Sequence, residues 1–306
     1  MLRINNLTKR YGKYVALDKL SFDIGKGEIF GFVGPNGAGK TTTMRIISGL
    51  LLADSGEVNV DGVDATKNNK ELKSKIGYMP DFFGVYDNLK ALEYMEFYAS
   101  IYGIAGVKAR KLCLELLDLV RLTEHMNNYV DDLSRGMKQR LCLARCLVHN
   151  PELLILDEPA SGLDPGARFE MKEILKELHD RGKTILISSH ILPELVQMCS
   201  HIGIIEKGKM VVKGTVDDIL SARGTAKPII IKVIDNQEQA VEVLKQNPFV
   251  QNITIRDNNI SVLFKGNEVE ESKLLSKIIQ SGAFISSFSR EVSDLESLFI
   301  QITKQN

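Results

Sequence analysis

No excess of charge of either sign marks this sequence: of 306 residues, 39 are Lys or Arg and 39 are Asp or Glu. The broad positive field of a protein that tracks a nucleic-acid backbone is therefore missing, although a local basic patch is compatible with neutrality. Long apolar runs are missing as well. No stretch approaches the ~18 to 20 uninterrupted apolar residues that cross a bilayer, so the chain is not expected to span a membrane by itself. The first residues carry no apolar run that follows basic residues and precedes a small-residue cleavage site, and a cytosolic location is expected. Cysteine is sparse: Cys113, Cys142, Cys146 and Cys199 form no C-x-x-C pair, which excludes a disulfide-stapled miniprotein. Cys142 and Cys146 are four apart and could face a metal, but no second pair accompanies them, and buried reduced thiols are the better reading.

What remains is an ordinary globular composition, with 44% hydrophobic and 25% charged residues and a mean hydropathy of −0.05. At ~150 residues per domain the length predicts about two domains. Short strands are expected at residues 2–7, 20–24 and 28–33, separated by Tyr11-Gly12 and by Gly25-Lys26-Gly27. The third runs into a Gly-rich loop and then into a helical spacing from Lys40 onward. Strands follow at 56–61 and 76–79. From 88 to about 149 the pattern is helical, with Leu92, Met95, Tyr98 and Ile101 on one stripe and Leu112, Cys113, Leu116, Leu117 and Val120 on another.

Two nearly continuous apolar strands, 153–156 and 184–188, flank a helix at 167–179. Lack of alternation predicts strands covered on both faces, as in a parallel sheet between helices. A hairpin is expected around Glu206-Lys207-Gly208. Residues 221–228 have linker composition. Beyond them the order is strand 229–234, helix 237–245, strands 250–256 and 260–264, helix 268–280, strand 284–288 and a final helix 293–302, so a ferredoxin-like α+β domain is expected.

The chemistry concentrates in three places. Gly34, Pro35, Asn36, Gly37, Ala38, Gly39, Lys40, Thr41 and Thr42 fit G-x-x-x-x-G-K-[ST] between a buried strand and a helix. Glycines 34, 37 and 39 let successive N–H groups converge on an anion at the positive end of that helix. Lys40 would bring a point charge to the terminal phosphates and Thr41 a hydroxyl to Mg²⁺. The 153–156 strand delivers Asp157 and Glu158 at its carboxyl end, where open α/β sheets bind ligands. Asp157 would hold Mg²⁺ through its water shell, and Glu158 would polarise a water for attack on the γ-phosphate. Upstream, Leu133-Ser-Arg-Gly-Met137 opens a helix with a second anion-binding turn at Ser134 and Gly136.

With those residues in order, the chain resembles the ATP-binding subunit of an ABC transporter, Leu133 to Met137 standing in the place of the LSGGQ signature. The resemblance extends over about residues 1–220. It assigns Tyr11 to the aromatic A-loop that stacks on adenine, residues 34–42 to Walker A, 153–158 to Walker B, Ser161 to Asp164 to the D-loop and His190 to the switch histidine. His125, His149, His179 and His201 lie in no motif and read as surface or core filler. The Q-loop glutamine position holds Asp81, which would either contact the metal or couple to a partner. Arg135 replaces a signature glycine and would either set a charge beside the γ-phosphate or face solvent. Met137 replaces the signature glutamine.

The resemblance implies an α/β P-loop NTPase of ABC type at 1–220, with an antiparallel N-terminal β subdomain and a helical subdomain at about 82–150. A linker at 221–228 and an accessory domain at 229–306 would follow. It further implies ATP and Mg²⁺, and an ATP sandwiched in a homo- or heterodimer in which Ser134 and Gly136 serve the partner's site. His190 would sense the γ-phosphate. Integral-membrane permease subunits would hold the chain at the inner face of the cell membrane, docking through residues 81–102, where Phe82, Phe83, Tyr86, Tyr94, Phe97, Tyr98 and Tyr102 would form a socket or, in part, core. Residues 77–84, Arg135 and the ending Leu295 to Ile300 are similar to exporters of the multidrug and antibiotic-efflux group. The rival expectation, a soluble ABC ATPase acting on ribosome or DNA, would call for a tandem motif set or long insertions, and neither is present. No nucleic-acid partner is expected.

Overall fold

The computed structural model describes residues 1–67, 69–81, 84, 88–221 and 228–290. They form two compact units, divided between Ile219 and Leu220. The first opens with β1 (Leu2–Tyr11) and β2 (Tyr14–Ile24), an antiparallel hairpin whose partners run from Leu2↔Ile24 to Tyr11↔Tyr14. β1 extends past the expected Leu7. Register shifts between Ile4 and Arg10 absorb the polar residues Thr8, Lys9 and Arg10, and a bulged strand of that kind shows no alternation in sequence. β3 (Ile29–Val33) then leads through the Gly-rich loop into α1 (Lys40–Ile47). β4 (Ser55–Val60) and β5 (Val63–Asp64) complete a four-stranded sheet of order β2-β1-β4-β5.

Next come α2 (Asn69–Lys75) and β6 (Ile76–Met79), then the helical region: α3 (Ala91–Ile101), α4 (Gly106–Leu119), a 3-10 turn and α5 (Arg135–Leu147). In α3 the buried stripe is Ala91, Leu92, Tyr94, Met95 and Ala99, whereas Ile101 is 61% exposed. The expected stripe thus ends before Ile101, the last residue of the helix, whose side chain faces outward. The chain continues with β7 (Leu153–Asp157), α6 (Pro165–Asp180), β8 (Thr184–Ser189), α7 (Leu192–Val196), β9 (His201–Glu206), β10 (Lys209–Thr215) and α8 (Val216–Ser221).

The central sheet has the order β10-β9-β3-β8-β7-β6. Its four pairings from β9 to β6 are parallel, and only β10 is antiparallel to its neighbour. Every residue of β3, β7 and β8 is buried, which is why those strands read as unbroken apolar runs. The core beneath them joins Phe30, Phe32, Met44, Ile155 and Leu186 to Leu2, Ile4 and Phe22 of the antiparallel sheet.

The second unit is built from β11 (Ile229–Asp235), α9 (Gln237–Lys245), β12 (Val250–Arg256), β13 (Asn259–Phe264), α10 (Glu268–Gln280) and β14 (Phe284–Arg290). Its antiparallel sheet has the order β12-β13-β11-β14, the ferredoxin-like arrangement. Its own core packs Ile229, Ile231, Ile260 and Val262 on Ala240, Leu244, Leu274 and Ile278. The expected helix 293–302 and most of the linker lie outside the described residues.

Candidate nucleotide site

Three neighbouring parallel strands end side by side. Val33 of β3 pairs with Ser189 of β8, and Asp157 of β7 pairs with Ser188 of β8. The loop after β3, the Asp157-Glu158 step after β7 and His190 after β8 therefore meet at one edge. A cleft of about 320 Å³ opens there, lined by Pro35 to Thr42 together with Tyr11, Tyr14, Ala16, Asp81, Glu158, Ser161 and His190.

The loop owes its shape to the backbone. Gly39 has φ +112, and a Cβ there would come within 2.8 Å of the Ala16 carbonyl oxygen, so only glycine fits. Lys40 follows as the first residue of α1 and is 6% exposed. Its ammonium donates to the Gly34 carbonyl at 2.7 Å and lies 3.5 Å from Glu158 Oε1. Burial pulls the Lys40 pKa below its usual value, opposed by the nearby Glu158, Asp157 and Asp81 carboxylates. A buried cation beside open cleft volume favours an anionic guest.

Asp157 is 1% exposed. The Ser188 hydroxyl donates to its Oδ1 at 2.6 Å and accepts the Glu158 backbone N–H at 3.0 Å. Asp157 Oδ2 is buried and has no hydrogen-bond partner. Burial raises the Asp157 pKa; the Ser188 and Thr41 hydroxyls act in the opposite sense, while Glu158 and Asp81 add to the rise. Glu158 leaves the strand with φ 53, a left-handed value uncommon for a residue with a side chain and of the kind that gathers at functional sites. Its Oε2 lies 2.9 Å from His190 Nδ1. Lys40, Glu158 and His190 are thus linked through one carboxylate.

The expected site residues separate into two places. Tyr11, 35–42, Asp81, Glu158 and His190 line the cleft, and Gly34 and Asp157 stand immediately behind it. Ser134 and Gly136 do not line it. They form the start of α5, where the Ser134 hydroxyl accepts the Met137 N–H at 3.3 Å. Tyr14 was missed by sequence reasoning. Its hydroxyl donates to the Gly37 carbonyl at 3.0 Å, and its signal is the second aromatic of Tyr11-Gly-Lys-Tyr14, which the hairpin register sets opposite the first. Ser188 was missed too, being the polar end of an apolar strand.

Of the aromatic group, Tyr94 is fully buried, whereas Phe97 and Tyr102 are 40% and 44% exposed; Phe82, Phe83 and Tyr86 lie outside the described residues. His149 has a structural place, its Nε2 2.8 Å from the Ile76 carbonyl and its ring stacked on Tyr102. The four cysteines are free and buried. Among the described residues no helix is long and apolar enough to cross a membrane.

Comparison with known proteins gives these features a family. A family model described as ABC transporter matches residues 17–161. The linearmycin resistance ATP-binding protein LnrL of Bacillus subtilis is 35% identical over 305 residues, covering 99% of this chain and 98% of the relative. This chain belongs to the ABC transporter ATP-binding family. The bacitracin transport ATP-binding protein BcrA of Bacillus licheniformis is likewise 35% identical over 99% of this chain and 97% of its own length. Among solved structures, the dimeric post-hydrolysis state of the ATP-binding cassette MJ0796 bound to ADP and Pi is 28% identical, with a TM-score of 0.65 over 71% of this chain and 99% of that one. The fold is that of an ABC ATPase cassette, and the chain is an ATP-binding, ATP-hydrolysing subunit of an ABC transporter. The ribosome or DNA alternative is not favoured.

Proposed function

We propose that this chain drives export of an antibiotic-like or other drug-like compound through a separate membrane permease, with ATP held at the 34–42 loop and closed over by a second nucleotide-binding domain. The observation that carries the reading is the convergence of Lys40, Asp157, Glu158 and His190 on one cleft. Its transport side rests on full-length likeness to proteins named for linearmycin resistance and bacitracin transport. In this reading residues 1–220 are the ATP-binding domain, 221–228 a linker and 229–306 an accessory domain. The permease holds the chain at the inner face of the membrane.

The roles follow from the geometry. Tyr11 offers its exposed ring to adenine. The amides of the loop and the Lys40 ammonium take the phosphates, and phosphate oxygens replace the Gly34 carbonyl as partners of that ammonium. Glu158, held between Lys40 and His190 at the edge of the cleft, orients the attacking water and takes its proton. His190, hydrogen-bonded to Glu158, holds that carboxylate in place and meets the γ-phosphate. Mg²⁺ suits the residues present: Asp157 Oδ2 is a buried hard oxygen without a partner, and the Thr41 hydroxyl stands beside it. Thr41 and Asp157 would hold the ion, with Asp81 at the rim, and the ion would offset phosphate charge.

Ser134 and Gly136, standing away from the cleft, are assigned to the nucleotide of the second domain. The ATP between two such surfaces would join them until hydrolysis removes the γ-phosphate contacts. Affinity capture of the tagged chain from detergent-solubilised membranes tests the transport reading. Co-purification of a polytopic membrane protein that stimulates ATP hydrolysis is expected, whereas recovery with ribosomal or DNA fractions contradicts it.

A further inference from the structure

Arg135, one of two residues that break the signature pattern, is exposed on one side, lies against Gly162 on the other, and does not line the ATP cleft. A Cβ built on Gly162 would come within 2.6 Å of Arg135 Cζ and Nη1 and 2.9 Å of Nη2. Near-equal distances to the three atoms mean that the guanidinium lays its face on Gly162, which itself has φ +67. One turn further along α5, Gln139 is 3% exposed and its Nε2 donates to the Ser161 carbonyl at 3.3 Å. Gln139 Oε1 is buried without a partner, a cost that an apolar side chain would avoid. A stabilising core residue would not be an amide here, whereas a residue selected to hold Ser161 would be.

α5 also meets α6, the helix that follows this loop, at two points. A Cβ on Gly136 would approach Ala167 Cβ to 2.9 Å, so the backbones pack closely, and Arg140 Nη2 lies 3.2 Å from Glu170. At the other end, Ser161 lines the cleft and its N–H donates to the Glu158 carbonyl at 3.1 Å. A continuous path of packed groups therefore runs from Ser134 through α5 to Ser161 and the backbone of Glu158.

We propose that Gln139 and Arg135 are positioning residues that tie the signature turn to the 161–164 loop of the same chain, so that closure of Ser134 on a second copy's nucleotide sets Ser161 and Glu158 in the chain's own cleft. The inference rests on the dimer reading above. It makes the two ATP sites of a dimer interdependent through side chains that touch neither nucleotide in their own chain.

The test uses the full chain and three readouts: ATP hydrolysis against ATP concentration, affinity for a fluorescent ATP analogue, and ATP-dependent dimerisation followed by light scattering. Gln139→Met keeps the volume and removes the donor. It should lower kcat about tenfold and bring the Hill coefficient for ATP, expected above one in the wild-type dimer, toward one, with KM and analogue affinity within about twofold of wild type. Arg135→Ala removes an exposed side chain that folding does not need, and should lower kcat about threefold with the same loss of cooperativity. It decides the matter if Gln139→Met does not fold. Wild-type kcat and Hill coefficient in a folded variant, or a defect confined to KM, overturns the inference alone. A Glu158→Gln chain that stays monomeric with ATP overturns the dimer reading, and the inference with it.

Discussion

The six-stranded sheet of the first unit and the antiparallel sheet of the second place their polar groups differently. In residues 1–219 the strands β3, β7 and β8 are buried at every position, so a polar side chain has room only at the strand ends. There stand Lys40, Asp157, Glu158, Ser188 and His190. In residues 228–290 the sheet is antiparallel and alternates: β11 buries Ile229, Ile231 and Val233 and exposes Lys232 and Ile234. Its polar residues spread over a face instead of converging at an edge. Covering both faces of a sheet concentrates chemistry at its edge, and covering one disperses it.

The largest effect is expected from Lys40→Ala, which removes the one cation buried in the loop: ATP hydrolysis should fall by about 10³-fold or more, as measured by phosphate release. Leu274→Ala, in the core of the second unit, should cost that unit about 2–5 kcal/mol, seen as a lowered calorimetric transition, while analogue binding at the cleft persists at 25 °C. Equal loss of binding would mean that the cleft depends on the second unit.

Tyr11→Ala should raise KM for ATP about two- to tenfold with little change in kcat, the exposed ring contributing to binding and not to the chemical step. The smallest effect concerns stability. Because burial raises the Asp157 pKa, the stability that this carboxyl contributes is full below the usual carboxylate pKa and is lost as pH rises through the raised value. Without nucleotide at neutral pH, Asp157→Asn should therefore melt about 2–4 °C higher than wild type, and the difference should shrink as pH falls toward about 4. A difference that does not change with pH would assign it to something other than the buried charge.

The contrast also explains what could be read from sequence. Unbroken runs at Phe30-Gly-Phe-Val33 and Leu153-Leu-Ile-Leu156 announce doubly covered strands because each residue is buried, and the residues that follow them are the site. The alternation of Ile229, Ile231 and Val233 announces the half-covered sheet. Legibility fails where contacts join distant segments. Ser188 bridges Asp157 and the Glu158 N–H across 30 residues or more, Gln139 reaches Ser161, and Arg135 meets Gly162. No local period encodes any of these, since each depends on strand order and helix packing. Tyr14 was hidden for a related reason: its role depends on hairpin register, and the bulges in β1 obscure that register.

In the proposed mechanism Glu158 handles the water while the loop at 34–42 and Lys40 hold ATP. A single-turnover assay of Glu158→Gln, with ATP binding and phosphate release followed in the same sample, tests it most directly. Wild-type-like ATP retention is expected, with phosphate release slowed about 10²-fold or more. Release at the wild-type rate would contradict it.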